Sequence, residues 1–322
     1  MVKSLSNSVL VTGGAGFIGS HLCQRLLSTD QRVICLDNFN DFYDPAVKRE
    51  NIAGILSHDG FSLNEGDIRD AELVEKVFTT EKPHSVVHLA AMAGVRPSIE
   101  QPLLYNDVNL FGTGVILEAA RRHSVSNFIF GSSSSVYGAQ EKVPFSEKDP
   151  VSRPISPYAA TKAAGEMLCY TYHRLFGLPV TCLRFFTVYG PRQRPEMAIH
   201  LFARKIMDGE PITVFGDGGS RRDYTYIDDI LDGIVKSLAN PHDFEIFNLG
   251  ESRTVSLREL ISLLEKSLGK SALIQEEPEQ PGDVPITYAD ISHARKTLNY
   301  DPNIPVEQGI DLFVQWLLKG SP

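Results

Sequence analysis

Two hydrophobic periods alternate along much of the chain. Short runs that are apolar on both faces occupy residues 8–12, 32–37, 85–89, 127–130 and 180–184. Apolar positions recur about every 3.6 residues in three longer segments, residues 18–27, 103–123 and 157–176. Parallel strands that helices cover on both sides are apolar on both faces. The β-α-β order therefore predicts an α/β fold with a doubly wound parallel sheet and right-handed crossovers.

The alternation of strand-like and helix-like segments becomes less regular after Gly190. Proline and glycine cluster in residues 191–219 and again in residues 278–285, between shorter apolar runs. We expect a smaller, discontinuous α/β lobe there. The predicted division is a Rossmann-type domain formed by residues 1–190 with 223–255, and a substrate-binding lobe formed by residues 191–222 with 256–322.

Charge and cysteine usage narrow the function classes. The 322 residues carry a formal net charge of −9, which argues against a nucleic-acid partner, because a phosphate-binding surface needs a basic excess. We find no apolar stretch long enough to span a bilayer and no signal-like leader, so we expect a cytoplasmic protein without a membrane partner. Four cysteines, Cys23, Cys35, Cys169 and Cys182, lack metal-ligand spacing, which predicts buried free thiols and no metal site.

A glycine-rich loop joins the first predicted strand to the first helix. Gly13, Gly16 and Gly19 form a G-x-x-G-x-x-G pattern, and the helix starts around Phe17 and Ile18. Such glycines allow a tight turn, close approach of phosphate to the backbone, and close packing of helix on strand. The pyrophosphate of a dinucleotide would then bind the free N–H groups at the helix N-terminus. The loop predicts a dinucleotide site that includes all five residues.

An acidic residue, Asp37, closes the second predicted strand. A carboxylate there accepts hydrogen bonds from the adenosine ribose and repels a 2′-phosphate, which favours NAD over NADP. The carboxyl ends of parallel strands face the cofactor crevice. We therefore assign further NAD contacts to residues near strand ends: Asn38, Asn40, Asp67, Ile68, Leu89, Ala90 and Ala91. An alternative for Asp67 is to cap the helix that follows it.

Tyr158 and Lys162 are four residues apart in a predicted helix, so their side chains share one face. A nearby ammonium lowers the pKa of a phenol, which lets a tyrosine act as a base near neutral pH. A cluster of serines in residues 131–138 ends the fifth strand and offers hydroxyls toward the same crevice.

The order of glycine loop, serine cluster and tyrosine–lysine pair resembles the extended short-chain dehydrogenase/reductase family over nearly the whole chain. The resemblance implies Ser133 as the catalytic hydroxyl, Tyr158 as the acid/base and Lys162 as the residue that orients the nicotinamide ribose. It further implies cofactor contacts for Asn109 and for Phe185, beside the nicotinamide.

The second lobe resembles nucleotide-sugar enzymes of that family. Arg222 lies in an Arg-Asp-Tyr motif whose arginine meets the diphosphate, Phe215 stands where relatives line the uridine pocket, and Asp283 lies in the last nucleotide loop. An arginine suits this role because its planar fork matches phosphate oxygens. A solvated basic turn at 221–222 is the alternative.

Finer features resemble UDP-glucuronate 4-epimerases. Residues 184–191 read R-F-F-T-V-Y-G-P, and Thr187 stands where UDP-galactose 4-epimerases usually carry asparagine. Segments around Arg96 and Arg194 also match that subgroup, whereas Pro97 departs from it. We expect Arg96, Ser134, Ser135, Thr187 and Arg194 to contact the sugar, the last four by donating to the glucuronate carboxylate.

The alternatives are a UDP-glucose/UDP-galactose 4-epimerase, a UDP-glucuronate decarboxylase and a non-catalytic NAD-binding sensor. Dehydratases of the family carry an Asp-Glu pair where Ser134 and Ser135 stand, and decarboxylases tend to carry a glutamate there. Neither is present. The resemblance also predicts a homodimer through the helices at 103–123 and 157–176.

Overall fold

The computed structural model describes residues 8–278 and 284–320. In chain order its strands and helices are β1 Ser8–Thr12, α1 Phe17–Leu27, β2 Arg32–Asp37, α2 Pro45–Ala53, β3 Phe61–Glu65, α3 Ala71–Glu81, β4 Ser85–His88, α4 Val95–Glu100, α5 Pro102–Tyr105, α6 Thr113–Arg122, β5 Asn127–Ser133, α7 Pro157–Phe176 and β6 Val180–Phe185. They continue with β7 Thr187–Tyr189, α8 Ala198–Asp208, β8 Pro211–Phe215, β9 Arg221–Arg222, β10 Tyr224–Tyr226, α9 Ile227–Ala239, β11 Phe244–Leu249, β12 Val255–Ser256, α10 Leu257–Leu268, β13 Leu273–Glu277, α11 Ser292–Leu298 and α12 Val306–Leu318.

A seven-stranded sheet is the main structural element, with the strand order β11-β6-β5-β4-β1-β2-β3. Parallel pairing joins β1 to β2 and β4, β2 to β3, and β4 to β5. Every residue of β1, β4, β5 and β6 is buried, as a sheet covered on both faces requires. The predicted Rossmann-type α/β fold is confirmed, and β1 and β2 have the predicted bounds.

The predicted helix at 103–123 is not one regular α-helix. A π-helical turn, Asn106–Gly112, lies between α5 and α6. The side chain of Asn109, in the middle of this turn, bonds the backbone of Met92 through both its oxygen and its nitrogen. Single π turns inside helices are common at functional sites. The apolar spacing predicted the helical segment and could not predict this local widening.

The chain divides into two compact units. The first unit contains the described residues of Met1–Gly138 with Pro150–Arg184 and Leu231–Phe247. The second contains Ala139–Asp149, Phe185–Ile230 and the described residues of Asn248–Pro322. Which ligand each part binds stays a prediction, since the units are defined by packing.

The second unit carries three small pairs of strands. β7 and β10 pair in parallel, as do β8 and β13, whereas β9 and β12 are antiparallel. Across residues 8–278 and 284–320, no helix has the length and apolar character that crossing a membrane would need.

Candidate active site

The glycine loop is a tight turn that leaves no room for a side chain at Gly13 or Gly19. Gly13 has a φ of +69°, and a Cβ there would lie 2.9 Å from the amide nitrogen of Ala90. A Cβ on Gly19 would lie 2.1 Å from the carbonyl oxygen of Gly13. Helix α1 starts at Phe17, and its N-cap, Gly16, has no side chain to bond the first amide groups. The loop and the helix N-terminus therefore fit a pyrophosphate.

Asp37 lies at the carboxyl end of β2, with 7% of its surface exposed. One carboxylate oxygen accepts from the amide of Ala15 in the glycine loop at 3.0 Å, and the other accepts from the amide of Phe39 at 2.9 Å. A carboxylate oxygen can accept more than one hydrogen bond, so ribose hydroxyls remain acceptable partners. The geometry fits the adenosine half of a dinucleotide without a 2′-phosphate.

Asn38 and Asp67 meet beside Asp37. The side-chain nitrogen of Asn38 donates to Asp67 at 2.9 Å, and the guanidinium of Arg69 donates to both oxygens of the same carboxylate. The Arg69 guanidinium lowers the pKa of Asp67 to about 2. The alternative that Asp67 caps the next helix is wrong, because Asp70 accepts from the first amides of α3.

A buried histidine links the ends of β1 and β4 to the π-helical turn. The hydroxyl of Thr113 donates to the carbonyl oxygen of Asn109 at 2.6 Å, so it accepts from Nε2 of His88 at 2.9 Å. The hydroxyl of Thr12 then donates to Nδ1 of His88 at 2.7 Å and accepts from the amide of Ala90 at 3.2 Å. Burial, and secondarily the charge of Lys162, lowers the pKa of His88 to about 3. The imidazole is thus neutral, with its proton on Nε2.

Asn109 bonds protein groups through both ends of its side-chain amide. Its side-chain nitrogen donates to the carbonyl of Met92 and to the hydroxyl of Thr161, and its oxygen accepts from the Met92 amide. Thr161 in turn donates to the carbonyl of Tyr158 at 2.9 Å. Asn109 therefore ties the segment after β4 to the first turns of α7.

Tyr158 and Lys162 lie on α7, which begins at Pro157 and is capped by the hydroxyl of Ser156. The Lys162 ammonium donates to the carbonyl of Gly131 at 2.6 Å and is buried. Burial lowers the pKa of Lys162 to about 8. The Tyr158 ring packs edge-on against Tyr105, with ring centroids 6.3 Å apart.

Ser133 ends β5 and caps a short 3-10 segment, Ser134–Tyr137. Its hydroxyl accepts from the amide of Ser135 and donates to the Ser135 hydroxyl, both at 3.2 Å. The structure thus brings Ser133 and Ser135 together. Other residues assigned from sequence in the first unit lie where their elements begin or end: Ile18 in the first turn of α1, Asn40 after β2, Ile68 after β3, Leu89 and Ala91 after β4, and Arg96 at the start of α4.

In the second unit, Thr187 starts β7 beside the Arg-Asp-Tyr segment. Its amide donates to the carbonyl of Asp223 at 3.0 Å, and Thr187 pairs with Tyr224 across the β7–β10 ladder. The Asp223 carboxylate is buried and accepts from the amides of Glu251, Ser252 and Ala289 and from the Thr225 hydroxyl. This carboxylate joins segments far apart in sequence.

The remaining assigned residues of the second unit are placed individually. Arg222 lies in β9 opposite Val255 and is half-buried, and Phe215 ends β8. Arg194 pairs with Glu196, at 3.2 Å from Nε to the carboxylate. Phe185, at the end of β6, is buried. Asp283 lies outside the described residues.

Sequence reasoning missed several buried polar residues, namely His88, Glu166, Arg184 and Asp223. Three of them lie in a pattern that the sequence shows. Glu166 continues the Tyr158–Lys162 spacing by one more turn, Asp223 is the neighbour of Arg222 in a motif already noted, and Arg184 opens the R-F-F-T-V-Y-G-P segment. His88 ends a short buried strand, and nothing in its spacing marks it.

The fold and the first unit's site define an NAD-binding enzyme of the short-chain dehydrogenase class. The sequence profile of the NAD dependent epimerase/dehydratase family matches residues 9–250. The chain belongs to this family, among its NAD-dependent UDP-sugar 4-epimerases, and is an isomerase.

Three relatives make the grouping concrete. The UDP-glucuronate 4-epimerase of Thermodesulfobacterium geofontis is 42% identical over 308 residues, covering 95% of each chain. The structure of UDP-glucuronic acid 4-epimerase from Bacillus cereus, in complex with UDP-glucuronic acid and NAD, has a TM-score of 0.92 at 38% identity and covers 97% of this chain and 99% of that one. UDP-glucose 4-epimerase from Thermotoga maritima, with UDP-glucose, has a TM-score of 0.89 at 33% identity, with the same coverage.

Proposed function

We propose that this protein interconverts UDP-glucuronate and UDP-galacturonate by inverting C4 of the sugar through a 4-keto intermediate. The 42% identical relative from T. geofontis is a UDP-glucuronate 4-epimerase, and the B. cereus enzyme was crystallised with UDP-glucuronic acid and NAD. The segment around Thr187 adds to this, because a threonine there differs from the asparagine usual in UDP-galactose 4-epimerases.

One observation favours epimerisation over elimination of water. Residues 131–138 contain no acidic side chain, and both carboxylate oxygens of Glu166, the buried acid on α7, are engaged by Arg184. Loss of water from the sugar needs an extra acid and base. Inversion of C4 needs one acid/base and reversible hydride transfer, which Tyr158 with its helical partner Lys162 can support.

The proposed chemistry assigns a role to the catalytic and cofactor-binding residues of the first unit. Tyr158, relayed by Ser133, removes the O4 proton of the sugar and later returns it. The Lys162 ammonium stabilises the Tyr158 phenolate and orients the nicotinamide ribose. When bound, NAD would supply reversible hydride transfer at C4, with the hydride returned to the opposite face of the sugar ring. Gly13, Gly16, Gly19 and Asp37 hold the two ends of the adenosine diphosphate.

The second unit is proposed to bind the nucleotide and to recognise the sugar. Arg222 binds the diphosphate, while Phe215 and Asp283 contact the uridine. Thr187 and Arg194 hold the glucuronate carboxylate. Of the first unit's residues, Ser134 and Ser135 are proposed to donate to that carboxylate and Arg96 to contact the sugar. A β-keto acid loses carbon dioxide when its carboxylate turns perpendicular to the ketone, so a fixed carboxylate suppresses decarboxylation.

A proton NMR time course with purified protein and UDP-glucuronate tests the proposal. We expect UDP-galacturonate to form without free pentose nucleotide. Faster turnover of UDP-galactose would instead identify a UDP-glucose/UDP-galactose 4-epimerase, formation of a UDP-pentose would identify a decarboxylase, and no turnover with NAD bound would favour a sensor.

We also propose a homodimer. Apolar side chains on α5, the π-helical turn and α7 are exposed, with 79% of Leu103, 56% of Phe111, 57% of Met167 and 50% of Tyr170 accessible. The helical segments that carry these side chains pack against one another, and exposed apolar surface on such neighbours can form an interaction site. The exposure of Met167 argues that it is not core, whereas Leu168 packs against the core. Light scattering at micromolar concentration should give twice the chain mass, and a monomer would contradict the proposal.

A further inference from the structure

A buried ion pair of the first unit lies one helical turn beyond Lys162 and bonds Ser132, the neighbour of Ser133. Glu166 on α7 and Arg184 on β6 have 4% and 2% of their surface exposed. Nε and Nη2 of Arg184 donate to the two carboxylate oxygens at 2.9 Å and 2.7 Å. This bidentate geometry fixes the orientation of both side chains.

The pair connects two further groups near the site. The hydroxyl of Ser132, next to Ser133, donates to Glu166, and Nη1 of Arg184 donates to the Tyr137 hydroxyl at 2.9 Å. Tyr137 ends the 3-10 segment that carries Ser134 and Ser135. The network therefore reaches the end of β5 and the serine cluster at once.

Helix α7 contacts β5 residue by residue up to Ser133. A Cβ on Gly165 would lie 2.4 Å from the Phe130 ring, so helix and strand are in close contact there. Lys162 donates to the carbonyl of Gly131, and Ser132 donates to Glu166. Three consecutive strand residues are thus matched to α7 immediately before the catalytic serine.

Stability alone does not account for such a pair. Removing two charges from water costs free energy that their attraction often fails to recover, and apolar replacements of a buried pair are often neutral or stabilising. A bidentate pair does provide a fixed geometry, which apolar side chains do not. Its location, one turn beyond Lys162, places that geometry where the acid/base residues need it.

We propose that the Glu166–Arg184 pair is a positioning device that sets the register between the helix bearing Tyr158 and Lys162 and the strand end bearing Ser133. Neither residue touches the reacting atoms in this scheme; both act through Ser132, Tyr137 and α7. The inference rests on the proposed function of the first unit's site.

The test compares Glu166→Gln with the double variant Glu166→Met/Arg184→Met, each as the NAD-loaded protein. Turnover is expressed per mole of retained NAD, so that unfolded molecules, which hold no NAD, are not counted as enzyme. For Glu166→Gln we expect kcat to fall about 10²-fold, the effect of a misplacement of about 1 Å, with KM changed by less than about threefold. The double variant should keep the thermal unfolding midpoint and the NAD of the wild type yet remain slow.

Glu81→Gln is the matched control, since it breaks the ion pair to Arg32, the first residue of β2, in the same unit. Its kcat should equal that of the wild type. If Glu166→Gln does not fold, Tyr137→Phe removes only the hydroxyl that accepts from Arg184 and should lower kcat at unchanged KM. Wild-type turnover in the double variant would overturn the proposal.

The sugar used is whichever of UDP-glucuronate and UDP-galactose the wild type turns over faster. A wild type that prefers UDP-galactose refutes the proposed substrate and leaves the comparison of variants intact. Equal turnover of wild type and variants refutes the positioning role and leaves the substrate assignment intact.

Discussion

The polar residues of the two units are held in different ways. In the first unit, side chains spaced along α7 bond side chains and carbonyls at the end of β5, as Lys162 does with Gly131 and Glu166 with Ser132. In the second unit, one buried carboxylate, Asp223, gathers the backbone amides of Glu251, Ser252 and Ala289. The first arrangement is set by helical spacing, whereas the second depends on loops that only the folded chain brings together.

The largest expected effect is on the first unit. Tyr158→Phe removes the proposed base and keeps the ring that packs against Tyr105. We expect kcat to fall by about 10²–10⁴-fold, the usual contribution of a general acid/base group. Retained NAD and the thermal unfolding midpoint should stay at wild-type values.

Steady-state kinetics with UDP-glucuronate and UDP-galactose checks this expectation. Tyr172→Phe is the control, because Tyr172 lies on the same helix and donates its hydroxyl to Glu118 on α6. Turnover of Tyr158→Phe near that of the wild type on both sugars would remove the whole mechanism.

The dependence of the first unit's site on local spacing explains what the sequence could predict there. Tyr158 and Lys162 are close because they are four apart on a helix, and Gly13, Gly16 and Gly19 because they form one turn. Local spacing determines both geometries, so a single sequence is enough to propose them. The same rule extended by four residues would have included Glu166.

Asp223 tests the second arrangement. Asp223→Asn keeps the shape but turns the NH2 of its carboxamide toward backbone amides that now donate to the carboxylate, which leaves buried donors unpaired. Burial raises the pKa of Asp223 to about 7, so the comparison is made at pH 8, where the group is mostly charged. Hydrogen bonds to a charged group contribute about 1.5–3 kcal/mol each, so loss of one or two should raise KM for the UDP-sugar about 10–100-fold. NAD retention should not change.

Asp229→Asn is the matched control for Asp223→Asn. Asp229 is a buried carboxylate of the same unit that accepts from the amides of Asn303 and Ile304. An equal rise of KM in both variants would show general loosening of the unit and contradict a particular role for Asp223.

The role of Asp223 could not be predicted from sequence. Its donors come from residues 251, 252 and 289, and no spacing rule relates those positions to residue 223. Arg184 and His88 pose the same difficulty, since each lies in a buried strand and has its partner on another element. Long-range pairing of buried polar groups depends on the final packing, which hydrophobic periodicity does not encode.

A smaller effect is expected at Thr187, whose backbone bonds the Asp223 carbonyl. Thr187→Val keeps the shape and removes one hydroxyl donor, so we expect the kcat/KM ratio of UDP-glucuronate over UDP-glucose to fall about tenfold. Some UDP-4-keto-pentose should also appear, because a looser carboxylate turns perpendicular to the ketone.

The control for Thr187→Val is Thr181→Val, which removes a buried β6 hydroxyl that has no hydrogen-bond partner among the residues the structure describes. Its selectivity should match that of the wild type. An equal fall of kcat/KM on the two sugars in Thr187→Val would mean that Thr187 does not distinguish the groups at C6.

The smallest effect concerns pH and the charge on Lys162. Burial holds the pKa of Lys162 at about 8, below the 10.5 of an exposed lysine. Above pH 8 the ammonium that supports the Tyr158 phenolate is lost, so we expect kcat to fall about eightfold between pH 7.5 and 9. Stability should respond in the opposite sense. Between pH 8 and 10.5 the unfolded chain binds the Lys162 proton and the folded chain does not, so this group's penalty on folding shrinks as pH rises. Lys162→Met isolates that contribution: the free energy of unfolding of the variant minus that of the wild type should be largest below pH 8 and should decrease toward pH 10.5. A difference that stays constant over this window would mean that Lys162 does not titrate there, and the alkaline fall in kcat would then need another cause.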